Sequence, residues 1–374
     1  MNRYCVQYHS RTLVALAERD KQQLFPLAGW VFNFPADEVK MVLFDAIKQT
    51  DDVNLHTGLN MIAFLKANSA EEAIDTSKNF VETTLNLVSF STLTSCNPAK
   101  LVSIINIVDT DEEAHPFTHY IYPFDEQEII GSLSVVNEPT FRAVFEAYTK
   151  SPHQQRSLRA LSWLRKGIGE ENSVDEFTSY WIGLEVIKHA LSPEKTNTDQ
   201  EWRKVEEIFT NRLHFQDFRK IRHNARPGLL HGYLELDNKF IKEIGSYVEP
   251  IRKTLVICIG SVLGLEENTI LTIAGKTPRR IRQNPWNVIE GVVTNITKDF
   301  NELVKNYPMV DAEIANKKFS ISESGELNIA FSVTHHFHGP TGAKWEIKAV
   351  AFWGDEDAGI KHADFKGLKG AEPL

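Results

Sequence analysis

Little in this sequence can crosslink it. Three cysteines, Cys5, Cys96 and Cys258, stand far apart in 374 residues, too few for a disulfide framework and wrongly spaced for a zinc ribbon. That scarcity points to a reducing, cytoplasmic setting. Long apolar runs are missing as well. The longest, Thr254–Gly264, is about half of the roughly 20 residues that a bilayer span requires, so no membrane association is expected. The opening Met1-Asn2-Arg3-Tyr4-Cys5 lacks the grammar of a signal peptide. An excess of positive charge is also absent: 41 Lys and Arg face 50 Asp and Glu, for a net charge of −9. A polyanion must therefore meet a local basic patch rather than the average surface. Glycine-rich phosphate loops, nucleophile elbows and Cys/His zinc spacings do not occur, and no cofactor is expected.

A composition of 42% hydrophobic and 24% charged residues excludes pervasive disorder, and the length suits two or three domains. The first 150 residues read as an α+β domain. Val31–Phe34 alternates, Leu59–Leu65 is a short apolar run, and Leu101–Val108 and His119–Tyr122 are further strand candidates. Between them Ser69 and Glu72 form a capping box ahead of Ala73, Ser77, Val81, Leu85 and Val88 at helical spacing.

From Gln154 the pattern turns helical. Leu158, Leu161, Leu164 and Ile168 form one stripe. Ser173 and Glu176 make a second capping box before Phe177, Trp181, Leu184 and Leu191. Trp202, Val205, Phe209 and Leu213 give a third helix, and Ile241 to Val262 a long fourth, which Pro250 should kink. Ile289, Val292, Ile296, Phe300 and Leu303 predict a fifth. Such stripes must bury against one another, so residues 151–305 are expected to form an all-α bundle of four to five helices. Residues 306–374 are expected to form a small β-rich extension. In it Leu327–His335 alternates and pairs across Gly339-Pro340-Thr341-Gly342 with Trp345–Trp353 as a hairpin. The whole is a multidomain α+β chain.

The chemistry concentrates between the third and fourth helices. From Asn211 to His231 there are five Lys or Arg residues (Arg212, Arg219, Lys220, Arg222, Arg226), three His and one acid, Asp217. A solvated basic face is the plain reading. Arg226 and His231, however, are separated by four residues and followed by Gly232. This resembles the Arg–four residues–His motif of the HEPN superfamily. Ser157–Gly167 is similar to the first helix of such domains, and Phe177–Ile187 to the second, with Leu184-Glu185 as its Leu-Glu pair. An α+β domain ahead of the bundle is also similar to the ApeA-like HEPN proteins of bacterial anti-phage defence. The resemblance covers roughly Gln154–Gly264.

That resemblance implies a metal-independent endoribonuclease of the antiviral defence type. RNA carries its own nucleophile, the 2′-hydroxyl, so a proton-transfer group and a phosphate-binding cation suffice to leave a 2′,3′-cyclic phosphate. His231 would be the base or acid, since histidine titrates near neutral pH. Arg226 would bind and stabilise the phosphate. Arg219, Lys220, Arg222, His223 and Asn224 would be RNA contacts, and Glu185 would face the motif arginine.

Five positions turn a regular helix by about 500°, leaving Arg226 and His231 about 140° apart. Pro227 suits the first position of a new helix and frees Arg226 from that register. The family brings two motifs together in a homodimer, which makes a two-fold dimer the expected assembly. Pro227 also occupies a position where active members often carry Asn, Asp or His. A non-catalytic HEPN module for dimerisation or binding is therefore the alternative. Two other features complete the candidates. Lys276–Arg282 holds four basic residues in seven, making Arg279, Arg280 and Arg282 possible RNA-backbone contacts. His336 and His338 share one strand face, the weak basis for a metal-dependent hydrolase; with no third ligand nearby in sequence, no metal is expected.

Overall fold

The structure, a computed structural model, describes residues 1–16, 30–34, 38–49, 54–107, 117–119, 133–192, 198–225, 229, 237–280, 287–294, 309–322, 327–338 and 344–352. The chain divides into two compact units, one of Met1–Ile47, His56–Ile129 and Leu133–Ile281, the other of Lys48–Leu55, Ile130–Ser132 and Arg282–Leu374.

Strands of the first part are β1 (Asn2–Ser10), β2 (Val14–Ala15), β3 (Trp30–Phe34), β4 (Val39–Gln49), β5 (Asn54–Ala67), β6 (Lys100–Ile107), β7 (Phe117–His119) and β8 (Ser134–Val135). Six of them form a sheet in the order β3-β4-β5-β1-β6-β7. Alternation sets its inner face. Tyr4, Val6 and Tyr8 of β1 stand opposite Leu65, Ala63 and Met61 of β5, and all six are buried. Helix α1 (Ala70–Thr92) packs against β1. Tyr8 fixes the contact, its hydroxyl lying 3.0 Å from the Ile74 carbonyl and 2.9 Å from Ser77 Oγ. Ser69 caps α1 by accepting from the Glu72 amide, while the Glu72 carboxylate accepts from Asn68.

The helices continue as α2 (Glu138–Lys150), α3 (Gln154–Gly169), α4 (Ser173–Leu191), α5 (Thr198–Glu207), α6 (Phe218–Lys220), α7 (Asn238–Leu263) and α8 (Glu267–Ala274). Single π-helical turns, Ile208–Arg212 and Ile221–Ala225, extend α5 and α6. Position 150 is no break in packing. Phe32 and Phe34 of β3 meet Phe145 of α2 at 4.9 and 5.2 Å, Arg165 of α3 pairs with Glu82 of α1 at 2.5 Å, and one apolar cluster runs from Tyr4 to Ala274. Helix α4 is the axis of the helical part, with α3 and α7 against it. Gly167 allows the close approach of α3, because a Cβ there would meet the Tyr180 ring at 2.3 Å. Gly183 does the same for Leu255 of α7.

Three local expectations are corrected. The cap of α4 is Asn172, which accepts from the amides of Val174 and Asp175, rather than Ser173. Glu176 is thereby released from capping and turned inward. Residues 287–294 form a strand, β9 (Asn287–Thr294), in place of the fifth helix. Its β-branched pairs Val288-Ile289 and Val292-Val293 favour extended backbone, and β12 (Lys344–Phe352) supplies its partner. Ile296, Phe300 and Leu303 lie outside the described residues. Finally, β11 (Leu327–His338) pairs antiparallel with β10 (Met309–Ile321) rather than with β12, so the expected hairpin is replaced by two two-stranded sheets. A non-local partner decided what alternation alone could not.

Candidate functional site

Aromatic side chains fix the middle of α4 against α5 and α6. Trp181 stacks on Trp202 at 5.1 Å, on Phe177 at 5.8 Å and on Phe218 at 5.9 Å. Between α5 and α6 the chain reverses through His214 and Asp217, both at positive φ (58° and 69°). That region disfavours residues with a Cβ, so packing of Phe209, Phe215 and Phe218 must hold the turn.

The basic segment is laced with carboxylates. Arg212 pairs with Glu267, Arg219 with Glu206 at 2.9 Å, Lys220 with Glu243 at 2.7 Å, and Arg222 with Asp199 at 2.5 Å. The hydrogen bonds from Arg222 and Lys220 hold the Asp199 and Glu243 carboxyls below their ordinary values. Glu243 in turn raises Lys220. Four cations that read in sequence as a patch thus stand beside four anions from α5, α7 and α8. His223 is exposed and close enough to Asp199 to favour its charged form.

Glu185, half-buried on α4, accepts a hydrogen bond from Trp181 Nε1 at 3.1 Å, one turn before it. One turn further along stands a group that sequence reasoning did not find. His189 Nδ1 lies 2.5 Å from Glu201 Oε1, and Lys188 Nζ lies 2.9 Å from Glu201 Oε2 and 3.4 Å from His189 Nε2. An ionised carboxylate only accepts and an ammonium only donates. The imidazole therefore carries its proton on Nδ1 and its lone pair on Nε2. Hydrogen bonding by Lys188, then by His189, lowers the Glu201 pKa. The side chains of Lys188 and Glu201 are 9% and 10% exposed, whereas that of His189 is 44% exposed. Lys188 and Arg222 both lie 5.5 Å from the Trp202 ring centroid, so this cluster adjoins the segment that leads to Arg226. The only hint in the sequence was a Lys-His pair at the end of a helical stripe; Glu201, twelve positions on, belongs to another helix.

Arg226, Pro227, His231 and Arg282 lie outside the described residues, as does the side chain of Asn224, whose backbone belongs to the π turn after α6. Arg279 and Arg280 are placed away from the cluster. Arg279 is bridged by its backbone to Leu93 and Ser95 at 2.9 and 2.7 Å. Arg280 meets Glu176 at 3.5 Å. His336 and His338 stand on β11 opposite Asp311 and Met309 of β10. Among the described residues no group of three or more His, Cys, Asp or Glu could hold a metal ion, and no helix is long and apolar enough to cross a membrane.

No family model, curated protein or solved structure matches this chain.

Proposed function

We propose that the chain is a metal-independent endoribonuclease, with its helical part acting as a HEPN-like domain and its Arg226/His231 motifs meeting in a homodimer. The observation that carries this reading is the environment of Glu185. Its carboxylate is fixed by Trp181 at the margin of the core, on the helix whose sequence resembles the family's second. In the resemblance this acid faces the motif arginine. Helices α3, α4 and α7 follow the family's order, and the segment bearing Arg222 and His223 is seated against α5 four positions ahead of Arg226. RNA is the partner this chemistry fits. The cytoplasm is the setting that the reduced-cysteine reading favours, and phage defence is the role that the ApeA-like arrangement suggests.

A second reading, a non-catalytic HEPN module that dimerises or binds a partner, is favoured by the neutralised cations. Arg212, Arg219, Lys220 and Arg222 each already face a carboxylate, which weakens the field available to a phosphate backbone. Cleavage of a mixed RNA pool in EDTA separates the two. Wild type should leave 2′,3′-cyclic phosphate ends, and His231→Ala and Arg226→Ala should each lose about 10²–10⁴ in rate. Absence of cleavage by wild-type dimer, with infected lysate added as a source of trigger, selects the binding module.

A further inference from the structure

Three segments far apart in the chain meet at the C-terminal end of α1. The backbone of Arg279 brackets Thr94, donating to the Leu93 carbonyl at 2.9 Å and accepting from the Ser95 amide at 2.7 Å. From the other side, the Thr94 hydroxyl donates to Ser134 Oγ at 2.8 Å, and the Ser134 amide donates to the Leu13 carbonyl at 2.9 Å. Between these segments lies a cleft of about 340 Å³. Thr92 of α1 forms one wall, Leu133 and the β8 residues Ser134 and Val135 another. Lys276, Thr277 and Arg279, which follow α8, form the third.

We propose that this cleft binds a phosphate monoester of about mononucleotide size, its phosphate held by Lys276 and the neighbouring hydroxyls and its body against Leu133 and Val135. The first support is the balance of donors and acceptors. None of the lining residues is acidic, and two are cations. The Lys276 ammonium donates to the Ser91 carbonyl at 2.7 Å, which leaves two of its three N–H groups for a ligand. Ser134 Oγ accepts from Thr94 and so keeps its own proton to donate. The Thr277 hydroxyl is exposed at the rim. A wall of donors from separate segments suits the several oxygens of a phosphate.

The second support is an uncompensated charge. Burial alone holds the Lys276 ammonium below its ordinary pKa, and among the described residues no carboxylate stands close enough to offset it. Half-buried cations elsewhere in the helical part, Arg165 and Arg222, do have such a partner. The Arg252 guanidinium reinforces the positive side, donating to the Lys276 carbonyl at 3.2 Å. A ligand anion would supply what the chain does not.

The third support is rigidity. Lys276 is tied at its amide to Ile273, at its carbonyl to Arg252 and at Nζ to Ser91. Arg279 and Ser134 are fixed by the backbone bonds above. Donors held before the ligand arrives lose little entropy on binding. The volume lies at the small end of ligand sites, enough for a mononucleotide and too little for a folded nucleic acid. Val135, 42% exposed, and Leu133 give the body of such a ligand an apolar surface. Lys276 also serves as a cap for the last carbonyls of α1, so the test must separate capping from binding. The inference is independent of the ribonuclease reading.

Calorimetric titration of the full chain with adenosine 5′-monophosphate is that test, with adenosine and inorganic phosphate as the two halves of the probe. The nucleotide should bind, phosphate should displace it at higher concentration, and adenosine should give no heat. Lys276→Gln should weaken the nucleotide about 10- to 100-fold. Thr277→Val removes an exposed hydroxyl and leaves the cap of α1 intact; it should weaken binding about 3- to 10-fold with an unchanged melting temperature. Lys150→Gln, which removes an exposed cation on α2, should bind as wild type does. Absence of binding by wild type overturns the proposal, as does unchanged affinity in both Lys276→Gln and Thr277→Val. Adenosine binding as well as its monophosphate would make the site apolar rather than anionic. Phosphate binding as tightly as the nucleotide would overturn the assigned size. An RNA strand without terminal phosphate that binds in a Lys276-dependent way would replace the monoester with a nucleic-acid backbone.

Discussion

The two ends of α4 carry the same kinds of residue to opposite effect. At the N-terminal end Glu176 accepts from Tyr180 at 3.0 Å and meets Arg280 at 3.5 Å, with Arg252 beside them. That end is the more enclosed: the Arg280 side chain is 20% exposed, against 44% for His189. Tyr180 is wholly buried and Arg252 nearly so, and burial foremost drives the Tyr180 hydroxyl well above its usual pKa and lowers that of Arg252. At the C-terminal end Glu201 likewise accepts from two partners, but one of them, His189, is open to solvent. A sealed carboxylate can only hold the fold together. A buried carboxylate whose partner reaches solvent can also position a proton. Burial of charge is common to both ends, and access is what separates structure from chemistry.

That contrast can be broken from either side. The largest expected effect is at the sealed end. Glu176→Ala leaves the buried Tyr180 hydroxyl without its acceptor and removes the carboxylate that faces Arg280, and should cost about 3–5 kcal/mol in denaturant unfolding. Glu201→Ala, one of whose partners, His189, can turn toward water, should cost less, about 1–3 kcal/mol. Equal stability losses would erase the distinction. Next comes Gly167→Ala, which places a methyl group against the rigid, buried Tyr180 ring. The overpacking should cost about 1–3 kcal/mol, read from the same titration, and a neutral result would mean that α3 yields more easily than its packing implies.

The smallest effect is in acid. Glu201 has a depressed pKa in the folded state. Its contribution is therefore complete above the unfolded glutamate value of about 4.3 and is lost as pH falls through the lower folded value. The wild-type melting temperature should decline through that window, and Glu201→Gln should flatten part of the decline. An unchanged pH slope in the variant would place the acid sensitivity in Asp199, Glu243 and Glu249, which are depressed by Arg222, Lys220 and Lys253.

Much of the framework was legible. Alternation in Val31–Phe34 gave β3, Ser69 and Glu72 marked the start of α1, and the stripes of Leu161, Leu164 and Ile168 and of Phe177, Trp181 and Leu184 gave α3 and α4. Each of these signals is local. The failures were of another kind. The apolar spacing of Ile289 and Val292 fits a helix face as well as a strand, and pairing with β12, more than fifty residues later, decided between them. The cap of α4 was misplaced by one residue because Asn172 and Ser173 are both good caps, and only the backbone geometry chooses. His189 and Glu201 went unnoticed because no spacing connects them.

What the sequence determined by itself was therefore periodic: which faces of which helices and strands must leave water, and where positive charge accumulates along the chain. Those properties depend on neighbours within a turn or two. Only the tertiary structure decided which of the cations in Arg212–Arg222 are neutralised, and which histidine has a carboxylate behind it. Coulombic and hydrogen-bond contacts act over a few ångströms in space. Glu267 reaches Arg212, and Glu201 reaches His189, because separate helices were packed together by their apolar faces.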